Sequence, residues 1–234
     1  MIGIIGQGFV GNAIYQKFKN YFDVYTYDLD ESKRTSGETE AMSQNIVFVC
    51  LPTPMNSDGS CSTELVEWTI DKICKLKKCK TIVVKSTVSP GTTARWNSNY
   101  DIDIVFNPEF LTEANAVEDF NNQNRIILGG PRPSTTKLRR IYSKVFPKAH
   151  IIKTDSTHAE MVKYLTNSFL ATKVSFANEI YQVCEKLNID YDKVVEYATL
   201  DDRLGKSHWN VPGPDGDFGF GGHCLPKDLS ALIY

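Results

Sequence analysis

Short runs of β-branched and aliphatic residues recur through the first two thirds of the chain, and no other feature constrains its fold as strongly. They are Ile2–Ile5, Val24–Tyr27, Ile46–Cys50, Thr81–Val84, Ile102–Phe106, Ile126–Leu128 and His150–Lys153, with polar, helix-compatible stretches between them. A continuous apolar run is the pattern of a strand buried on both faces, and this spacing leaves room for a crossover helix between parallel neighbours. The expectation is an α/β fold with a doubly wound, mainly parallel sheet over residues 1–153.

From Pro147 to Gly205 the chain has no intervening Gly or Pro, and its pattern becomes helical. Thr157-His158-Ala159-Glu160 matches an S/T-x-x-E capping box. Met161, Tyr164, Leu165, Phe169, Val174, Phe176, Ile180 and Val183 then carry one helix to about Leu187. At 1.5 Å per residue such a rod is about 45 Å long, longer than a small domain is wide. A helix of that length suits a domain bridge or a dimer interface, so a homodimer through 157–187 is expected. Asp190 is placed to cap a shorter helix through Val194, Val195 and Ala198. Residues 154–234 therefore read as an all-helical domain ending in a glycine-rich tail.

The 234 residues suffice for one large domain or two small ones. With 41% hydrophobic and 23% charged residues, collagen-like, coiled-coil and largely disordered chains are excluded. A net charge of −2 leaves no basic excess to track nucleic-acid phosphates. No apolar run approaches a membrane span, and the chain enters a strand-like run at Met1 without a charged leader, so a soluble, cytoplasmic protein is expected. The six cysteines, Cys50, Cys61, Cys74, Cys79, Cys184 and Cys224, show no CxxC or His-rich ligand spacing. No metal site is expected, and most of these thiols read as buried small hydrophobes.

Gly6-Gln7-Gly8-Phe9-Val10-Gly11 is a GxGxxG that follows the first strand and opens a helix over about Asn12–Phe18. Its glycines permit a tight turn, close approach to a pyrophosphate, and close helix–sheet packing, with the helix N-terminus facing the phosphates. The next strand ends in Asp28, near the position where a carboxylate accepts from ribose hydroxyls. That charge repels a 2′-phosphate and favours NAD over NADP. A glycine turn without a dinucleotide is the other reading.

Cys224 lies in Gly219-Phe220-Gly221-Gly222-His223-Cys224-Leu225-Pro226-Lys227-Asp228. Pro226 suits the first position of a helix, which would leave Cys224 at or just before its cap. There the helix dipole and Lys227 favour the thiolate. The alternative is a buried spacer in a glycine loop. Lys163 and Asn167, four apart, share a face of the long helix, where solvent is the usual destination. Glu109 and Glu113 leave the fifth strand in Asn107-Pro108-Glu109-Phe110-Leu111-Thr112-Glu113, at the kind of strand end where open α/β sheets bind ligands. Acidic first-turn residues of a helix are the other reading of these two.

Taken in order, these segments resemble the UDP-glucose/GDP-mannose dehydrogenase family. The likeness extends to Leu51-Pro52-Thr53-Pro54, Lys85-Ser86-Thr87-Val88-Ser89-Pro90-Gly91-Thr92, Glu160-Met161-Val162-Lys163-Tyr164 and Phe176-Ala177-Asn178-Glu179. It implies a Rossmann-type domain, NAD as cofactor, and four-electron oxidation of a sugar-nucleotide primary alcohol to a carboxylate without metal. UDP-glucose is the favoured substrate. Cys224 would trap the aldehyde as a thiohemiacetal and carry the thioester. Lys163 and Asn167 would stabilise the oxyanion, and Asp228 would orient or deprotonate the lysine or the attacking water. Glu109 would accept the proton, and Glu113 would hold water or nicotinamide, with Thr87 nearby. The resemblance assigns Gly6, Gly8, Phe9, Val10, Gly11, Asp28, Lys33, Pro52, Thr53, Ser86, Thr87, Glu113 and Lys227 to the cofactor. It assigns Glu109, Phe110, Leu111, Thr112, Lys163, Asn167, Arg203, Phe220 and Gly221 to the substrate, Arg203 reaching that of a neighbouring subunit. Family members continue into a second Rossmann-like domain that binds the nucleotide base, with no counterpart in these 234 residues. An incomplete or non-catalytic NAD-binding dimerisation module is therefore the alternative function.

Overall fold

The apolar runs become seven strands: β1 (Ile2–Ile5), β2 (Val24–Tyr27), β3 (Ile46–Val49), β4 (Thr81–Val84), β5 (Asp103–Phe106), β6 (Arg125–Gly129) and β7 (His150–Thr154). The structure, a computed structural model, describes all 234 residues. They fall into two units, Met1–Asn56 with Cys61–Lys163, and Ser57–Ser60 with Tyr164–Tyr234.

In the first unit the strands form one sheet in the order β2-β1-β3-β4-β5-β6-β7. Every neighbouring pair is parallel except β5 and β6, which meet antiparallel at Phe106 and Gly129. The helices of this unit are α1 (Phe9–Phe18), α2 (Glu38–Met42), α3 (Glu64–Leu76), α4 (Thr92–Asn99), α5 (Ala116–Asn122) and α6 (Arg132–Val145). Alternate strand residues feed two cores, as the two-residue period of a strand requires. Ile4, Phe48, Val83 and Val105 pack with Ile14, Phe18, Phe120 and Tyr142. Ile5, Val47, Ile82, Ile104 and Phe106 pack with Ile70, Ile73 and Trp96. Burial on both faces is why β1, β3 and β4 read as unbroken apolar runs.

The strand order reverses beside β1, and open α/β sheets bind ligands at the carboxyl ends next to such a reversal. Gly6–Gly11, Asp28, Leu51–Pro54, Lys85–Thr87 and Asn107–Glu113 follow the carboxyl ends of β1 to β5 in turn.

The second unit contains most of α7 (Ser156–Leu187), with α8 (Tyr191–Ala198) and α9 (Cys224–Ile233). Asp190 caps α8 by accepting from the Lys193 amide at 3.2 Å. The α8–α9 loop is tied to α7 where the Gly219 amide donates to Asn178 Oδ1 (3.0 Å) and Lys173 Nζ donates to the Leu204 carbonyl (2.8 Å).

Several local expectations are corrected. α7 starts at Ser156, not Thr157, because Asp155 takes the cap and accepts from the His158 amide at 3.0 Å. The predicted capping box does not form. Glu160 instead accepts from the Gly91 and Thr93 amides, at 2.6 and 2.8 Å, at the start of α4, whose glycine cap supplies no side-chain acceptor. α1 starts at Phe9 rather than Asn12, and α9 at Cys224, two residues before Pro226. A proline is tolerated there because first-turn amides have no intrahelical acceptor. Residues 107–113 are not helical, α5 beginning only at Ala116. The thiols are unbridged; Cys184 is buried and the other five cysteines are partly buried, the expectation of mostly buried thiols holding only in part. No helix is long and apolar enough to cross a membrane.

Candidate active site

The turn after β1 is forced by backbone geometry. Gly6 sits at φ +90°, a left-handed conformation that L side chains rarely adopt, and a Cβ on Gly11 would collide with the Gly6 carbonyl oxygen. Gly8 caps α1 without any side-chain acceptor, and a Cβ there would meet open space. The first-turn amides of α1, with Phe9 and Val10, are thus presented to an external acceptor. Asp28 is fixed beside them: Oδ2 accepts from the Gln7 amide at 2.6 Å and Oδ1 from the Asp30 amide at 2.9 Å. A cavity of about 580 Å³ opens between Gln7, Gly8, Phe9, Asn12, Lys33 and Arg34. This set fits a dinucleotide: a glycine cradle and helix start for phosphates, a carboxylate for ribose hydroxyls, and two cations at the rim.

After β3, Ser86 Oγ donates to the Leu51 carbonyl (2.6 Å) and accepts from its amide (3.1 Å), locking the Leu51–Pro52 turn to β4. Buried Thr53 donates to the Thr87 carbonyl at 2.9 Å. Pro52 is exposed.

After β5 the chain carries the first catalytic candidates. Glu109 and Lys163 are both buried, and Lys163 Nζ donates to Glu109 Oε1 at 2.9 Å and to its carbonyl at 2.8 Å. Glu109 Oε2 accepts from the Leu111 amide at 2.7 Å. The Phe110 ring lies beneath the Arg125 guanidinium (4.0 Å) and 5.5 Å from Lys163 Nζ. Thr112 is exposed and bonds Asp119, and Glu113 is exposed. Lys163 and Asn167 are buried rather than solvated, which corrects the ordinary expectation for that helix face.

In the second unit Asp228 is 1% exposed and both of its oxygens are engaged, Oδ2 by Asn167 Nδ2 at 2.6 Å and Oδ1 by Lys227 Nζ at 2.5 Å. The Lys227 ammonium is therefore committed to Asp228. Cys224, half-buried, is the first residue of α9, at the positive end of the helix dipole. Phe220 is half-buried and Gly221 exposed, with the Asp215 carboxylate filling the space a Gly221 Cβ would need. Arg203 is exposed and paired with Asp201 of its own loop, Nε lying 3.0 Å from both oxygens.

Residues 31–146 match the model of the UDP-glucose/GDP-mannose dehydrogenase family NAD binding domain, and residues 157–234 that of the family's central domain. The chain belongs to this family. Among its relatives is a UDP-glucose 6-dehydrogenase of Rickettsia bellii, 38% identical over 82% of this chain and 45% of its own length. Another is the Bacillus subtilis UDP-glucose 6-dehydrogenase TuaD, 34% identical over 92% of this chain and 46% of its own. The chain spans about half the length of the curated relatives it matches. A UDP-glucose dehydrogenase structure from Pyrobaculum islandicum superposes with a TM-score of 0.86 at 30% identity, covering 99% of this chain and 62% of that one. A GDP-mannose dehydrogenase structure from Pseudomonas aeruginosa gives 0.76 at 28% identity, covering 100% and 63%.

Sequence reasoning assigned no role to Lys85, Asn107, Tyr142 or Arg34, and it placed Glu160 in a local cap. The available signal was Lys85 itself, a lysine directly after the buried run Thr81-Ile82-Val83-Val84. Charge in such a place is rare unless paired.

Proposed function

We propose that this chain carries the chemistry for NAD-dependent oxidation of a sugar-nucleotide primary alcohol to a carboxylate, with UDP-glucose the favoured substrate. In this reading residues 1–153 are the NAD-binding domain and 154–234 the helical domain that supplies the nucleophile. The observation that carries it is Cys224 at the first residue of α9, four residues before a buried aspartate held by Asn167 and Lys227.

The glycine turn, Asp28 and Lys33 would hold NAD, with Pro52, Thr53, Ser86, Thr87 and Lys227 as further contacts. When bound, NAD accepts the hydride lost in each of two oxidations. Glu109 takes the hydroxyl proton of the primary alcohol as its carbon becomes an aldehyde. Cys224 Sγ adds to that carbon, giving a thiohemiacetal whose oxygen carries the negative charge. Lys163 and Asn167 donate to this oxygen, and the second oxidation leaves a thioester on Cys224. Water attacks the thioester carbon, the acid departs and the thiol is regenerated, with Asp228 orienting the water and Glu113 assisting. Phe110, Leu111, Thr112, Phe220 and Gly221 line the sugar, and Arg203 would leave Asp201 to serve a neighbouring subunit.

Incubation with NAD and a panel of UDP-glucose, GDP-mannose and N-acetylated UDP-sugars tests this reading. NADH production with UDP-glucose is expected. NAD binding without reduction by any of the panel supports a non-catalytic dinucleotide-binding module instead.

Two further outcomes follow from single features. Asp28→Asn removes the charge that ribose hydroxyls would donate to, so NAD affinity should fall about tenfold, or about 1.4 kcal/mol, while discrimination against NADP weakens. Titration calorimetry with both nucleotides reads this, and unchanged NAD affinity would remove Asp28 from the site. The homodimer is supported by an apolar stripe on α7: Leu165, Phe169, Phe176, Val183 and Leu187, spaced by four and seven residues, are 62, 64, 55, 49 and 64% exposed. Light scattering at micromolar concentration should show a dimer that Phe169→Glu with Phe176→Glu converts to a monomer. A monomeric parent chain would contradict it.

A further inference from the structure

Behind the Glu109–Lys163 pair lies a second buried lysine that the chemistry above does not use. Lys85 follows β4 and is 4% exposed. Its Nζ donates to Asn107 Oδ1 at 3.1 Å and reaches the Pro108 carbonyl at 3.4 Å. The Tyr142 hydroxyl also donates to Asn107 Oδ1, and Asn107 Nδ2 donates to the Ile127 carbonyl at 2.8 Å. The peptide Asn107-Pro108-Glu109 is thus gripped twice, by Lys85 at Pro108 and by Lys163 at the Glu109 carbonyl.

We infer that Lys85 is a positioning residue for the Glu109–Lys163 pair: it fixes the peptide that carries Glu109 and supplies a surplus buried positive charge awaiting a negatively charged substrate oxygen. This inference rests on the oxidation proposed above.

The charge count supports it. Lys85 and Lys163 bring two positive charges and Glu109 one negative. The other titratable groups here do not compensate: burial pushes the Cys50 thiol up to about 12 and also raises the Tyr142 hydroxyl, so both stay neutral. An excess cation in a dry site is unfavourable at rest and favourable once an oxyanion develops, which is the condition for selective transition-state stabilisation. Burial pushes Lys85 down to about 8, countered by the Glu109 carboxylate and reinforced by Lys163. The surplus charge is therefore lost as pH rises through about 8. The sign for stability is opposite. Between about 8 and the ordinary lysine value of 10.5 the unfolded chain holds a proton that the folded one has released, so folding stability rises with pH across that window.

The test compares Lys85→Met and Lys85→Gln with the parent chain, using UDP-glucose and NAD from pH 6 to 9.5. The expected loss in kcat is about tenfold to a hundredfold, smaller than for a direct oxyanion donor, with KM for NAD unchanged and the alkaline limb near pH 8 abolished. Full kcat with an unaltered pH profile would overturn the inference. Should the parent reduce no sugar nucleotide, the functional reading fails by itself and lysine side-chain NMR decides the Lys85 claim. One lysine titrating near 8 is expected, absent in Lys85→Met and shifted lower by Glu109→Gln. Absence of such a lysine, or its indifference to Glu109→Gln, refutes the placement of charge. Where neither Lys85 variant folds, sequential resonance assignment identifies the Lys85 signal in the parent and in Glu109→Gln.

Discussion

Cys224→Ser should lower acid formation by at least about 10³-fold while NAD affinity stays within about twofold. The size follows from the role proposed for this thiol. Without Sγ no thiohemiacetal forms, the aldehyde has no covalent anchor, and the second oxidation loses its substrate. Serine does not replace it, because an alcohol is a far weaker acid and nucleophile than a thiol. The glycine turn and Asp28 belong to the other unit and are untouched, so cofactor binding persists. Product analysis by mass spectrometry, with NAD affinity measured in parallel, separates the two effects. Full acid production by the serine variant would show that Cys224 is a spacer.

Lys163→Met should cost roughly 3–5 kcal/mol of stability, because breaking a buried ion pair strands the remaining charge. Lys163 and Glu109 have side chains 4% and 9% exposed, and the Glu109 carboxylate would keep the hydrogen bond from the Leu111 amide. Lys85 lies near enough to compensate in part. The double variant Lys163→Met with Glu109→Gln removes both charges and should recover much of the loss, giving a coupling energy of about 2 kcal/mol or more in a double-mutant cycle. Denaturant midpoints of the four proteins measure this. Additive effects would mean that the pair contributes no mutual stabilisation. In turnover, Lys163→Met should also lose about 10²–10³-fold, the usual cost of deleting an oxyanion donor.

Both lines of expectation depend on what the sequence could reveal locally. The strands were legible because a parallel strand buried on both faces leaves an uninterrupted apolar run, and all seven runs became strands within about two residues of the expected ends. The glycine turn was legible for a similar reason, since Gly6 and Gly11 answer to steric demands of the turn itself. Glu160 was misread because its spacing from Thr157 satisfies a local rule, while its partners Gly91 and Thr93 are far away in sequence. Burial then pushes its proton affinity up, against the pull of the two amides. The fates of Lys163 and Lys85 were hidden in the same way. A lysine on a helix face or after a strand carries no mark of the carboxylate or carbonyl that the folded sheet will bring to it. Asp228 illustrates the middle case: its place in the tail was readable, but its double engagement by Asn167 and Lys227 required the packed helices.

The most direct test of the proposed chemistry is the stoichiometry of NADH to sugar at completion, with UDP-glucose limiting and NAD in excess. Two NADH per UDP-glucose, with UDP-glucuronate as the product, are expected. One NADH per sugar, or NAD binding with no reduction at all, would contradict a four-electron oxidation through Cys224.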